Sequence, residues 1–142
     1  MFAVLVLVDS FSDAALAAGL GSSELIIFVH PTTKAATPGS LVGGHIQALL
    51  VGSVYSLMLF SAPVSAFLEG IPPVQDLIFA TSTGILIVIM SIRDTEHPPA
   101  AGTVLGMSTR VWDTEVFAII VGSVVILAVI NRMLRRYLRD LI

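Results

Sequence analysis

The sequence predicts an all-α membrane protein with about four transmembrane helices and one or two short re-entrant half-helices, forming a single domain over 1–142. Three observations predict it. The 142 residues are 56% hydrophobic and only 12% charged, with a mean hydropathy of +0.97, far from the composition of a soluble domain of this length. Three stretches, 46–68, 77–92 and 116–130, contain no Asp, Glu, Lys or Arg. With their flanks they approach the ~20 residues needed to cross about 30 Å of hydrocarbon. Polar, proline-bearing segments such as "HPTTKAATPGS" and "SIRDTEHPP" separate the apolar runs.

The elements follow in order. A first span at about 2–20 contains Asp9 and Asp13 and is marginal in length. The next stretch, "GSSELIIFV" at 21–29, is too short to cross alone. It stops at His30-Pro31, where the proline disfavours helix for the residue before it, and reads as the end of a bent first span or as a half-helix. Thr37-Pro38 starts the second span, about 38–60, with a hydroxyl N-cap and proline at the first helical position. Within it Gly44, Ala48, Gly52 and Ser56 recur every fourth residue, a ladder that lets another helix backbone approach closely.

Residues 61–73 read as a connector whose "IPPVQD" leads into the third span, about 74–92. The apolar stretch 98–109 is too short to cross and reads as a half-helix. Its Gly102 and Gly106 are expected to press against the ladder of the second span. Asp113-Thr114 opens the fourth span, about 114–134.

The tail carries Arg132, Arg135, Arg136 and Arg139, four of the seven basic residues. By the positive-inside bias the C-terminus is expected in the cytoplasm, for a multi-pass protein of the cell (inner) membrane. Counting four crossings back from the tail puts both the 30–45 region and the 91–99 stretch on the opposite side. "LIIFVHPTTKAATPGSLVGG" loosely echoes "LIVIMSIRDTEHPPAAGTVLG", and a repeat of this kind points to a binding site in transporters.

The formal net charge of -3 gives no reason to expect nucleic acid, because charge at membrane ends reflects topology first. The chain has no cysteine, which removes disulfides, thiolate metal sites and thiol nucleophiles. The N-terminus lacks the basic region and cleavage site of a signal peptide. With no phosphate loop, nucleophile elbow or paired catalytic carboxylates, no enzyme activity, catalytic residue or cofactor is expected.

Attention falls on 91–106, "SIRDTEHPPAAGTVLG", where Arg93, Asp94, Glu96 and His97 interrupt hydrocarbon. One reading makes these charges the solvated end of the third helix, joined by mutual ion pairs. The other has a half-helix starting at Pro98 direct free backbone N–H groups and a positive dipole end toward His97 and a water-filled side, which suits a small anion. His45, beside Gly43 and Gly44, serves either as an interhelical hydrogen-bond donor or in a substrate or proton role. His30, His45, Glu96 and His97 match zinc chemistry in type, but their spacing follows no compact ligand pattern, so no metal is expected.

On these residues the chain resembles the HPP family of small integral membrane proteins, through His97-Pro98-Pro99. "GSSELIIF" is similar to that family's Gly-Ala-Ser-Ala-Val-Leu-Leu-Phe segment, "ATPGSLVGGH" to its Gln-Pro-x-Asn-Val-Ile-Gly-Gly-His segment, and Asn131-Arg132 to the Asn-Arg closing its last helix. The resemblance covers about 21–137. It implies a four-span helical membrane protein with a transport role, nitrite in plastids and cyanobacteria being the substrate named for the family. Carried over position by position, the substrate-binding residues are Gly43, Gly44, His45, His97, Pro98 and Pro99. The chain departs from the family at Glu24, which stands where the family is apolar, at Ser40, where the family usually has Asn, and at Ala100-Ala101, where Gly-Gly is common. The expected function is a transporter or channel-like protein for a small solute, a small anion such as nitrite. The alternative is a non-transporting membrane subunit whose motifs only pack helices. The expected partners are the lipid bilayer, the solute and further copies of the chain, since four spans make a narrow wall for a pathway.

Overall fold

The computed structural model describes residues 14–68 and 71–138. These form six α-helices and no strand: α1 (Ala14–Val29), α2 (Pro38–Leu59), α3 (Ala62–Leu68), α4 (Pro72–Ile92), α5 (Ala100–Ser108) and α6 (Thr114–Leu134), with a single 3-10 turn at Lys34–Ala36. Residues 2–13 of the expected first span lie outside the described part. The 21–29 stretch is no separate half-helix, since it continues α1 without a break. The expected connector at 61–73 contains the two-turn α3 and the start of α4.

Local chemistry sets several helix ends. The Thr37 side chain accepts from Ser40 N at 3.2 Å, with Pro38 in the first turn, and Asp113 Oδ1 accepts from Glu115 N at 2.8 Å to open α6. The charged burst after α4 is a helix C-terminus. Asp94 takes a left-handed φ of 58°, Thr95 N donates to Met90 O at 3.0 Å, and Asp94 N reaches Ser91 O at 3.4 Å. This double closure is the Schellman arrangement, with aspartate where glycine is usual. Asp94 then pairs with Lys34 of the α1–α2 linker, so the ion pair reaches across two linkers instead of staying within the burst.

Contacts set the direction of each helix. Along α2, Gly44 approaches His97 and Ala100, Gly52 approaches Val104 and Met107, and Ser56 Oγ donates to Arg110 O at 2.7 Å, so α5 runs parallel to α2. Gln47 Nε2 donates to Thr95 Oγ1 at 2.8 Å while the Tyr55 and Thr81 hydroxyls meet at 3.0 Å, so α4 runs antiparallel to α2. Trp112 Nε1 donates to Ser53 Oγ at 3.1 Å, and Asn131 Nδ2 donates to Ala36 O at 2.6 Å, which makes α6 antiparallel to α2 as well.

Two expectations fall here. The half-helix does not turn back, because α5 and residues 109–113 carry the chain from one end of the bundle to the other. The Asn131 contact therefore places the end of α6 beside the 30–37 linker and the 91–99 stretch, not opposite them as a four-crossing count requires.

Gly102 and Gly106 face α1, not the ladder of α2: a Cβ at Gly102 would lie 2.7 Å from both Ala15 O and Gly19 Cα. These two helices cross almost backbone to backbone. The α2 ladder does meet α5, through the side that carries Ala100, Val104 and Met107. Sandwiched between α1 and α2, α5 is the buried centre of the bundle.

Two apolar clusters result, one joining α1, α2, α5 and α6 around Leu20, Ile27, Leu49, Met107, Ile120 and Leu127, the other joining α2, α4 and α5 around Ala48, Leu86, Met90 and Val104. Large apolar side chains also cover the outside: Leu50, Val54 and Leu57 on α2, Leu77, Val88 and Ile92 on α4, Val125 and Val129 on α6. In water such a surface would be a liability; in lipid it is the solvent-matched face. Among the described residues two helices, α2 and α6, combine the length and apolarity needed to cross a membrane, with mean hydropathies of 1.4 and 2.3. The described part of α1 and the Asp76–Ile92 stretch of α4 are apolar but shorter.

Candidate functional site

Between the two apolar clusters lies a polar layer. His45, from the second turn of α2, and His97, from the segment before α5, are both fully buried, with ring centroids 5.1 Å apart and planes inclined by 57°. The hydroxyl of Ser23 on α1 lies 2.9 Å from Nε2 of each ring. His45 Nδ1 meets Thr103 Oγ1 of α5 at 2.9 Å, and His97 Nδ1 meets the carbonyl of Ala35 at 2.8 Å.

A carbonyl only accepts, so His97 Nδ1 must donate to Ala35 O. In a neutral ring Nε2 then accepts, and the hydrogen it takes comes from Ser23. Ser23 in turn accepts from His45 Nε2–H, which leaves His45 Nδ1 to accept from Thr103 Oγ1. The network itself assigns both tautomers. Its order is one-way: Thr103 to His45 to Ser23 to His97 to Ala35. Burial holds the His97 imidazole below its ordinary pKa of 6.5, opposed in part by the Ala35 carbonyl, which favours the charged form.

Sequence reasoning named both histidines, and the fold brings them together. Gly43 and Gly44 serve that meeting by being small: a Cβ at Gly44 would lie 2.8 Å from His97 Cβ, and one at Gly43 would lie 2.8 Å from Thr95 Cγ2. Pro99 is buried and presents its carbonyl to Gly19, while Pro98 is exposed. The free N–H groups expected at the start of the half-helix are not there. Ala100 N, Ala101 N and Gly102 N donate to the carbonyls of His97, Pro98 and Pro99, each at 3.0 Å, so tight turns consume the donors an anion would need, and helix proper starts only at Ala100. Nor does His97 stand at the protein surface: its side chain is fully buried and forms one wall of a groove. Among the described residues no three His, Cys, Asp or Glu side chains gather closely enough to hold a metal ion; His30 stands apart on the linker turn, its carbonyl accepting from Thr33.

Three contributors escaped the sequence reading as individual residues: Ser23, Thr103 and the Ala35 carbonyl. The signal for Ser23 was its place inside the "GSSELIIF" segment. Asn131 adds a brace, since it holds Ala36 O while His97 holds Ala35 O, so two neighbouring carbonyls of one linker turn are pinned from different elements. Beside the polar layer a groove of about 420 Å³ is lined by Ile87, Met90, Ser91, Glu96, His97, Pro98 and Ala101. A much smaller apolar hollow of about 30 Å³ lies on the other side, between α2 and α6, where His45 meets Val42, Leu49, Val121 and Val124.

A bundle with an apolar exterior and a buried histidine pair at the meeting point of α1, α2 and α5 defines a helical integral membrane protein. The family model described as HPP, transmembrane region, matches residues 1–138, and the chain belongs to that family. No curated protein matches the chain, and no solved structure does.

Proposed function

We propose that the chain transports a small solute, through a pathway that uses the groove beside His97 and the polar layer behind it. The observation that carries this reading is the burial of two histidines, a serine and a threonine in one connected layer within an apolar bundle, next to a groove of about 420 Å³. Ionisable groups at such a depth are costly and are retained mainly for function. A small anion is the solute class carried over from the family resemblance, with nitrite the first to try. The exposed carboxylate of Glu96 on the groove disfavours a bare anion there and favours one whose charge is neutralised on the way in.

The end of the bundle bearing Lys34, Arg93, Arg132, Arg135 and Arg136 is assigned to the cytoplasm by the positive-inside bias, and a homo-oligomer supplies the rest of the wall. Proteoliposomes of the purified chain should take up nitrite or a similar anion from a panel, with His97→Ala and His45→Ala both slowing uptake at an equal amount of folded protein. Flux at the wild-type rate in both variants removes these residues from the pathway.

One observation favours a second reading. All four ring nitrogens already have protein partners, as a purely structural layer requires. A membrane subunit that packs and anchors would show no flux for any anion of the panel and would co-purify with a partner.

A further inference from the structure

We propose that Ser23, His45 and His97 form a binding site for a single proton, taken up on the His97 ring and accommodated by the serine hydroxyl that bridges the two rings. The argument rests on Ser23 having one more partner than its hydroxyl can serve while both rings are neutral. Its Oγ lies 2.9 Å from both histidine Nε2 atoms and also 2.9 Å from the carbonyl of Gly19, one turn back in α1. With both rings neutral, the hydroxyl hydrogen points at His97 Nε2 and the Gly19 carbonyl keeps its helix partner and the Ser22 hydroxyl at 3.1 Å. When a proton arrives at His97 Nε2, that nitrogen becomes a donor to Ser23 Oγ. The hydroxyl hydrogen rotates to Gly19 O, and Oγ accepts from both rings at once.

Every donor and acceptor is satisfied in both states, without movement of a heavy atom. The balance is simple: one O–H bond of a hydronium in the groove breaks, leaving water, and one N–H bond forms on His97. A structural histidine layer needs partners for one protonation state only; this one holds partners for two. A second proton is disfavoured, because it would place a second positive charge on His45, whose ring centroid lies 5.1 Å from that of His97.

The surroundings suit a proton better than a larger ion. The titratable and charged groups around the pair are Glu96 on the groove, Glu24 next to Ser23 on α1, Lys34 of the linker with its partner Asp94, Arg93 at the end of α4, and the exposed Arg132 that follows Asn131 at the adjoining end of α6; α5 brings the neutral Thr103. Only His97 borders the groove, whereas His45 borders an apolar hollow with nothing else to bind water. The proton therefore reaches the pair from one side only. In its use this inference rests on the transport reading, where the site supplies the coupling ion and neutralises an anion that Glu96 would otherwise repel.

The test is the ring-nitrogen chemical shifts of isotope-labelled histidines in the full chain in lipid nanodiscs, followed from neutral pH downward. Near neutrality His97 should show the Nδ1–H tautomer and His45 the Nε2–H tautomer. Acidification should add one proton per chain, on His97, while His45 keeps its Nε2–H tautomer, and Ser23→Ala, which removes the acceptor of the charged N–H, should lower that midpoint while Ser23→Thr, which keeps the hydroxyl, does not. Protonation of His45 at or above the midpoint of His97 in the unaltered chain, or one tautomer shared by both rings, overturns the proposal whether or not the variants fold. Nitrite flux into proteoliposomes under an imposed proton gradient separates the two ideas. A single proton on His97 without flux keeps the proton site and removes the transport reading, whereas flux with His45 protonating first does the reverse.

Discussion

His45 and His97 come from different helix hairpins, yet each places Nε2 2.9 Å from the one hydroxyl of Ser23. Removing that hydroxyl strands two buried ring nitrogens at once. Ser23→Ala is therefore expected to cost about 1–3 kcal/mol of stability for the unsatisfied groups, against a few tenths for an exposed serine such as Ser22. Thermal unfolding of the detergent-solubilised variants measures the difference. Equal melting temperatures for the two alanine variants would show that the shared hydroxyl holds nothing together.

The crossing of α1 and α5 depends on Gly19 and Gly102. A methyl at Gly102 would lie 2.7 Å from backbone atoms of α1, and backbone cannot rotate away as a side chain can. Gly102→Ala should force the helices apart and destabilise by about 1–3 kcal/mol. Gly84→Ala and Gly122→Ala meet nothing within 4 Å and should raise stability by up to ~1 kcal/mol through helix propensity. Unfolding midpoints of the three variants should order accordingly, and a Gly102→Ala protein as stable as the Gly122→Ala protein would refute the close crossing.

Asp94 sits at a φ of 58°, where a side chain costs roughly 1 kcal/mol and glycine costs nothing. Its pair with Lys34 is solvent-exposed, so losing it matters little. Asp94→Gly should hold or raise the melting temperature, and Asp94→Val should lower it. A Gly variant less stable than the Val variant would mean that the carboxylate, not the backbone, decides this position.

Much of this architecture could be read ahead of the coordinates where the cause is local. Thr37-Pro38 and Asp113 open helices through atoms a few residues away, and the charge burst at 93–96 ends one because polar groups cannot continue into hydrocarbon. What could not be read depends on distant contacts. Neither Ser23 nor Thr103 has a pattern that separates it from any other small hydroxyl in an apolar helix; each gains meaning only where α1 and α5 meet the histidines. The sidedness failed for a related reason. A nine-residue helix is too short to count as a crossing, yet its burial against α1 and α2, with residues 109–113 extending it, takes the chain to the far end of the bundle. The free anion-binding N–H groups were inferred from a dipole, but Pro98 and Pro99 lead into turns whose carbonyls consume them.

Acid should destabilise the fold through His97. Its pKa lies below the ordinary 6.5 in the folded chain because burial disfavours the imidazolium, so the unfolded chain binds more protons at any pH between the two values. Stability then rises with pH in that window. The contribution is fully present above about 6.5 and is lost as pH falls below it toward the folded value. Unfolding free energy should accordingly decline on acidification before carboxylates begin to titrate, and the decline should be shallower in His97→Gln, which has no ring to protonate. The variant starts less stable, because its amide replaces two matched ring contacts with Ala35 O and Ser23, so the comparison is of slopes and not of midpoints. A slope unchanged by the substitution would mean that the proton taken up on unfolding belongs to another group.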